Sequence, residues 1–433
     1  MENAEKLQQQ RQKQIPCGND NKKSKSKGNG KGLREGESAG AGGRERDFGL
    51  SWRLKAEDGG ARVAIAEVSG REQKAKNGSE AGGQRLAERL NQAEQLNQPE
   101  RLDMLDVLVI GAGPTGLACA IDAQRADFRV ALADKGCLCN SLFHYPAHMT
   151  FFTTPELLEI GDIPFPSPHQ KPTRDEALQY YRQVAAHYRL DVRQYQRVER
   201  VTGADGAFDV ALRDRFERES HLKARKLIVA TGYYDLPNRL GIPGEDLTKV
   251  HHYYDDPHPY SGLDVVVIGG KNSAAIAALE LWRHGARVTL VHRGPGIHSH
   301  VKYWIKPDIE NRIKNGEVQA YFESRVVEIG LDEVWLETPH GELALKNDFV
   351  FALTGYHPDF EFLTSLGVRS EGKDRLPVCN AETLESNVPG IYLAGVIVAG
   401  ARTNEIFIEN GRFHGGVIAR DLAARLARWG TGE

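Results

Sequence analysis

The chain has little that would tie it together covalently or anchor it in a membrane. Five cysteines in 433 residues exclude a disulfide-built scaffold. There is no apolar run of the roughly 18 residues that a membrane-spanning helix needs. The first residues, MENAEKLQQQRQKQ, contain none of the apolar core of a signal peptide. Positive charge is not in excess: 56 Lys and Arg stand against 59 Asp and Glu, so no global basic field points to nucleic acid. A cytoplasmic protein without membrane or nucleic-acid partners is expected. What is present is 40% hydrophobic residues, enough for sizeable cores, and 45 glycines whose placement carries the reading.

The first hundred residues are a different kind of chain. Residues 1–34 carry nine Lys and Arg against three Asp and Glu, and residues 35–100 are rich in Gly, Glu, Gln, Asn and Arg. Such a composition buries too little surface to offset chain entropy, so 1–103 is expected to be a disordered, solvated tail. Met104, one of three methionines, directly precedes the first strong strand. It is read as the true start, leaving 330 residues.

Leu105–Ile110 is a continuous apolar run, as a buried parallel strand should be. It leads into Gly111-Ala-Gly-Pro-Thr-Gly116 and a helical segment. Gly111 permits the tight turn, Gly113 admits a pyrophosphate, and Gly116 lets helix pack on strand. The helix N-terminus favours phosphate charge. The next strand, expected over 128–133, ends at Asp134, 23 residues after Gly111, placed to accept from a ribose hydroxyl.

A second unit opens with the strand Leu263–Ile268, the loop Gly269-Gly-Lys-Asn-Ser-Ala274, a helix over 275–284 and a strand over 287–291. Lys271 stands where the second Gly should be. This strand ends in His292-Arg293, a cationic pair suited to a 2′-phosphate, so the expected nicotinamide cofactor is NADPH. Two strands ending in Thr-Gly, at Thr231-Gly232 and Thr354-Gly355, mark the crossings between the units. Near the C-terminus, Gly390-Ile-Tyr-Leu-Ala-Gly395 is another strand entering a Gly turn, and a helix is expected over 409–429.

These units resemble the flavoproteins with two dinucleotide-binding domains, the group that includes thioredoxin reductase, across 104–433. The resemblance implies an α/β fold of two Rossmann-like domains, an FAD domain with an inserted NADPH domain. The expected boundaries are 104–234 and 351–433 for the FAD domain and 235–350 for the NADPH domain. Expected cofactor contacts are Gly111, Gly113, Pro114, Thr115, Gly116, Asp134 and Lys135 at the first loop, and Gly269, Gly270, Asn272, Ser273, Ala274, His292 and Arg293 at the second. Thr231, Gly232, Gly355 and Gly395 join them at the strand ends.

A closer resemblance is to the YpdA family of bacillithiol disulfide reductases. It is carried by Lys135-Gly-Cys-Leu-Cys-Asn-Ser141, by the stretch from His144 to Gly161 with Ile163-Pro-Phe-Pro166, by the loop 269–274 with its Lys271, by Gly355-Tyr-His-Pro-Asp-Phe360 and by residues 407–415. It implies an NADPH-dependent FAD oxidoreductase acting on a small-molecule disulfide such as bacillithiol disulfide, and a homodimer. Two features depart from better-known relatives. Where thioredoxin reductases carry Cys-x-x-Cys, this chain reads His252-Tyr-Tyr-Asp-Asp256. Related sequences often carry a Cys in the first loop where Thr115 stands, so direct delivery from flavin to substrate stays open.

Candidate catalytic groups are few. Cys137 and Cys139 form a Cys-x-Cys just after Asp134. His144, with Tyr145, His148 and His169, lies in the Pro-rich stretch 144–172, read as a loop covering the flavin and a source of a proton. Cys119 should face the sheet, buried and inert. His251, His252 and His258 lack zinc-site spacing, and no metal is expected. Two alternatives stay open: electron transfer like that of ferredoxin- or flavodoxin-NADP reductases, and a flavin monooxygenase, whose Phe-x-Gly-x-x-x-His signature is missing.

Overall fold

The computed structural model describes residues 104–430, with side chains to Arg425, and these fall in one compact unit. The predicted tail, 1–103, lies outside the described residues.

The chain begins with β1 (Leu105–Ile110), α1 (Pro114–Arg125) and β2 (Val130–Ala133). Two single-turn helices follow, α2 (Asn140–Phe143) and α3 (Pro155–Leu158), then α4 (Arg174–His187). A capping box starts α4: Thr173 accepts from the Glu176 amide while Glu176 reaches back to the Thr173 amide. Next come β3 (Asp191–Arg193), β4 (Gln196–Ala204), β5 (Ala207–Asp214) and β6 (Glu219–Val229).

Among the described residues these strands form a sheet ordered β3-β2-β1-β6-β5-β4. Its central pairings, β1 with β2 and β6, are parallel, while β4 to β6 form an antiparallel meander. β1 is buried on both faces: Val107 and Val109 enter one core, and Leu108 and Ile110 the other.

A short strand, β7 (Leu236–Pro237), carries the chain out of this domain. The second domain holds β8 (Val250–His251), β9 (Asp264–Ile268), α5 (Asn272–Arg283), β10 (Arg287–Val291), α6 (Lys306–Lys314) and β11 (Gln319–Tyr321). An antiparallel meander, β12 (Arg325–Ile329), β13 (Glu333–Thr338) and β14 (Gly341–Lys346), precedes β15 (Phe349–Ala352). The parallel order is β11-β10-β9-β15-β8. A boundary at 350 would cut β15, whose pairing with β9 runs to Ala352.

The chain returns through β16 (Tyr356–His357), antiparallel to β7. The first domain is then completed by α7 (Phe360–Ser365), β17 (Ser370–Glu371), β18 (Leu376–Pro377), β19 (Ile391–Leu393), α8 (Ile408–Gly411) and α9 (His414–Gly430). β19 adds to the first sheet in parallel beside β6. Both nucleotide-binding units are Rossmann-like, so the fold is the expected α/β pair of domains. The helix expected over 409–429 is broken at 412–413. There Arg412 turns aside to donate to the carbonyls of Glu156 and Glu159, which ties α8 to α3.

Candidate functional site

The first Gly loop is built by steric exclusion. Gly111 has φ +106°, and a Cβ there would lie 2.5 Å from the Ala230 carbonyl oxygen. A Cβ on Gly116 would lie 2.0 Å from the Gly111 oxygen. Gly113 is different: a Cβ there would meet nothing within 4 Å, so this backbone faces open space. Pro114 opens α1, and the first helical amide to find a backbone acceptor is that of Leu117, from Gly113. The amides of Thr115 and Gly116 are therefore left at the helix end, as an anion site requires. This is the cradle a pyrophosphate needs, and the residues fit FAD.

Asp134 does more than await a ribose. Its two oxygens accept from the amides of Ala112, 2.7 Å, and Gly136, 2.8 Å, bracing the loop from below. Burial pushes its carboxyl up, against the pull of those amides. Lys135 is drawn off to Asp235, 2.9 Å away. Thr115 sits at a crossing: a Cβ on Gly395 would lie 3.2 Å from its methyl, and one on Gly411 3.1 Å from its Oγ1.

The second loop follows the same logic. Gly269 has φ +146°, with the Leu353 oxygen 2.6 Å from a would-be Cβ. At Gly270 the crowding comes from the His292 ring, 2.5 Å away, so that ring packs directly on the loop. The first bonded amide of α5 is Ala275, from Lys271, which leaves those of Asn272, Ser273 and Ala274 at the helix end. The segment 298–302 folds over this loop: His298 donates its amide to the Gly270 carbonyl, and Asn272 accepts from the Lys302 amide. Burial and the neighbouring Arg293 and His298 hold the His292 imidazole below its usual range. Arg293 is exposed beside it. The loop, its helix end and this cationic surround fit a nicotinamide dinucleotide phosphate.

Both loops open into one cleft of about 1270 Å³. That is above the roughly 300–1,000 Å³ of a site for a single small ligand. Gly113, Pro114, Thr115, Asp134, Thr231, Gly232, Gly355 and Gly395 line it from one side, and Gly269, Gly270, Asn272, Ser273, His292 and Arg293 from the other. Four expected contacts, Gly111, Gly116, Lys135 and Ala274, are not part of this lining; the glycines and Ala274 shape the loops, and Lys135 is exposed and paired with Asp235. The stretch 144–172 does border the cleft, through Tyr145, Pro146, His148 and the run Met149–Thr153.

The thiol candidates are poorly placed for nucleophilic work. Cys119 and Cys139 are buried, and burial pushes both thiols far up. Cys139 lines the cleft in a left-handed backbone conformation, φ +56°. Cys137 and Cys379 are half-buried and also raised, chiefly by burial. All four are free thiols. His144 is exposed, outside the cleft lining, with Nδ1 turned to the Asn140 carbonyl. Among the described residues no group of three or more His, Cys, Asp or Glu is placed to hold a metal. No helix there is long and apolar enough to cross a membrane.

One feature was not read from the sequence. Five tyrosines gather where β7 and β16 cross between the domains. Tyr234 packs on Tyr145, Tyr253 and Tyr356, with ring centroids 4.7, 5.3 and 4.4 Å apart. The Tyr253 hydroxyl donates to the Tyr234 carbonyl, 3.0 Å, and the Tyr356 hydroxyl to the His252 carbonyl, 2.9 Å. Tyr145, Tyr233, Tyr234 and Tyr356 line the cleft, and burial pushes all four phenols up, so they remain neutral. Tyr233-Tyr234 directly after Thr231-Gly232 was the available signal.

Residues 108–395 match the family described as pyridine nucleotide-disulphide oxidoreductase. The chain belongs to this family. It is an FAD-dependent oxidoreductase that uses NAD(P)H. It is 46% identical over 322 residues to the bacilliredoxin reductase Bdr of Bacillus subtilis, covering 73% of this chain and 97% of that one. Among solved structures it is similar to the bacillithiol disulfide reductase Bdr (YpdA) from Bacillus cereus, with 45% identity, TM-score 0.73, and 75% of this chain and 100% of that one covered. The corresponding structure from Staphylococcus aureus gives 40% identity and TM-score 0.71, over 74% and 99% of the two chains. The oxidoreductase thus has relatives of matching length beyond its first hundred residues.

Proposed function

We propose that this oxidoreductase takes a hydride from NADPH and reduces a small-molecule disulfide, with bacillithiol disulfide as the leading candidate. The observation that carries the reading is the single cleft bordered by both Gly loops. The names of the relatives supply the substrate class. In the overall reaction NADPH loses a hydride, one S–S bond breaks, and one further proton completes the two S–H bonds of the thiols. Bound FAD supplies the two-electron carrier between nicotinamide and disulfide.

The chain's own residues bind and orient. The loop 111–116 and the amides at the start of α1 hold the FAD pyrophosphate. The loop 269–274 holds the pyrophosphate of NADPH, and His292 with Arg293 selects its 2′-phosphate. No cysteine among the described residues is held as a thiolate, so the substrate disulfide is reduced without a protein thiol. Tyr145, Tyr233 and Tyr234 serve as neutral hydrogen-bond donors to the thiolate that leaves when the S–S bond breaks. The reading includes a homodimer, as is usual for the flavoproteins the sequence resembles. It also includes a cytoplasmic location, where the thiol product stays reduced.

The test is to reduce the holoprotein anaerobically with NADPH, add bacillithiol disulfide, and follow flavin absorbance and free thiol. Reoxidation with release of two thiols per flavin supports the reading. Flavin that stays reduced until ferredoxin or flavodoxin is supplied overturns it in favour of an electron-transfer reductase.

A further inference from the structure

At one corner of the cleft the two domains exchange cations and aromatic rings. The first domain contributes Phe152 and Lys171, and the second contributes Lys302 and Trp304. Phe152 and Trp304 meet edge to face, with centroids 5.9 Å apart. The Lys171 Nζ lies 3.5 Å from the Trp304 ring centroid. The Lys302 Nζ lies 5.2 Å from that of Phe152 and 5.9 Å from that of Trp304. Each ammonium is therefore seated on a ring from the opposite domain. Lys302 is anchored at its backbone too, since its amide donates to Asn272.

Lys135, Lys226 and Lys306 have carboxylate partners at 2.9, 2.6 and 3.7 Å. Lys171 and Lys302 have none among the described residues, which they share with several other described lysines, but they alone of these sit on rings from the opposite domain. A ring occupies one side of each ammonium and leaves N–H donors facing water. Phe152, Lys302 and Trp304 line the cleft, and Phe152 and Trp304 remain 37% and 40% exposed. The corner is thus a rim open to solvent. It presents two positioned positive charges that no carboxylate among the described residues satisfies. Lys171 and Phe152 come from the segment 144–172, which carries no part of the second Gly loop, whereas Lys302 also braces that loop through its amide bond to Asn272.

We propose that Lys171 and Lys302, positioned by Trp304 and Phe152, form a carboxylate-binding subsite at the cleft mouth that selects acidic small disulfides over neutral and cationic ones. This rests on the disulfide reductase reading and adds the charge of the substrate to it. The aromatic rings hold the lysines in place, and the lysines take one acidic end of the substrate while its S–S bond enters the cleft.

The test uses the holoenzyme and three probes of different charge: dithiodipropionate, hydroxyethyl disulfide and cystamine. The wild type should prefer them in that order in kcat/KM. Lys171→Gln should raise KM for dithiodipropionate about fivefold, the size of one exposed ion pair. The kcat and the KM for hydroxyethyl disulfide should hold, and Lys171→Arg should restore the wild-type value. Added salt should raise KM for the acidic probe alone. Calorimetric titration of the oxidised holoenzyme with dithiodipropionate, without NADPH, should show the same fivefold loss of affinity.

Equal losses for acidic and neutral probes overturn the subsite, as does a KM change confined to NADPH or no change at all. If the wild type reduces none of the three disulfides nor bacillithiol disulfide, the disulfide reductase reading fails. The calorimetric titration then still decides whether the subsite exists.

Discussion

The two glycines of the first loop should fail in different ways when each becomes alanine. At Gly116 the new methyl would lie 2.0 Å from the Gly111 oxygen and 3.0 Å from its carbonyl carbon. Both obstacles are backbone, so helix α1 must move off β1. Overpacking of this kind costs about 1–3 kcal/mol, against a gain of roughly 1 kcal/mol from replacing Gly inside a helix. The close contact puts the cost at the upper end, for a net loss of about 2 kcal/mol in the apoprotein. At Gly113 the methyl meets no protein atom within 4 Å. The backbone there is already extended, φ −75° and ψ 176°, so alanine fits without strain. Gly113→Ala loses only a few tenths to about 1 kcal/mol, from a poorer helix N-cap. It does fill the space through which a pyrophosphate reaches the loop. A clash of about 2 kcal/mol there weakens FAD binding roughly thirtyfold. Urea unfolding of the apoprotein and fluorescence titration with FAD separate the two effects. Gly116→Ala should unfold at lower urea. Gly113→Ala should unfold nearly as the wild type and bind FAD poorly. A Gly113→Ala protein with wild-type FAD affinity would refute the cradle, and equal destabilisation by both changes would refute the steric argument.

Arg293→Gln should raise KM for NADPH about tenfold and leave KM for NADH unchanged, since only the 2′-phosphate loses its bidentate partner; steady-state kinetics with both dinucleotides checks this. Wild-type turnover should survive iodoacetamide, because burial raises all four described thiols. Thr115→Cys, which places a thiol against Gly395 and Gly411, should make turnover sensitive to the reagent. His414 accepts the Gly395 amide at Nδ1, 3.0 Å, and burial lowers its pKa. The unfolded chain therefore binds this proton more readily, and the stability held above about pH 6.5 is lost as pH falls below it. His414→Gln should flatten that slope in thermal melts taken between about pH 5 and 7, and an unchanged slope would exclude His414 as its source.

The parts legible in the sequence are those built from contiguous residues. The unit 105–134 reads as strand, Gly loop, helix and acid because each element is fixed by its own neighbours. The helix around Cys119 shows the same thing. Its period turns the thiol inward, and the close approach of Gly415 on α9 to the Cys119 backbone completes that burial. The helix break at Arg412 was not legible, since its cause is a pair of carbonyls on α3. Nor was the engagement of Asp134 with loop amides, because a carboxylate at a strand end looks the same whichever donors reach it.

By itself, then, the sequence determined that two dinucleotide units follow one another, and that the second carries a cationic strand end. Both are local matters: a turn that only glycine can make with a helix that starts beside it, and two cationic side chains adjacent at a strand end. Tertiary structure alone decided that the two loops share a cleft, that tyrosines from four separate segments pack around its connectors, and that Lys171 and Lys302 sit on each other's domain at its mouth. Those contacts join residues far apart in the chain. They depend on how β7 and β16 carry the second domain out and back, which no local pattern encodes.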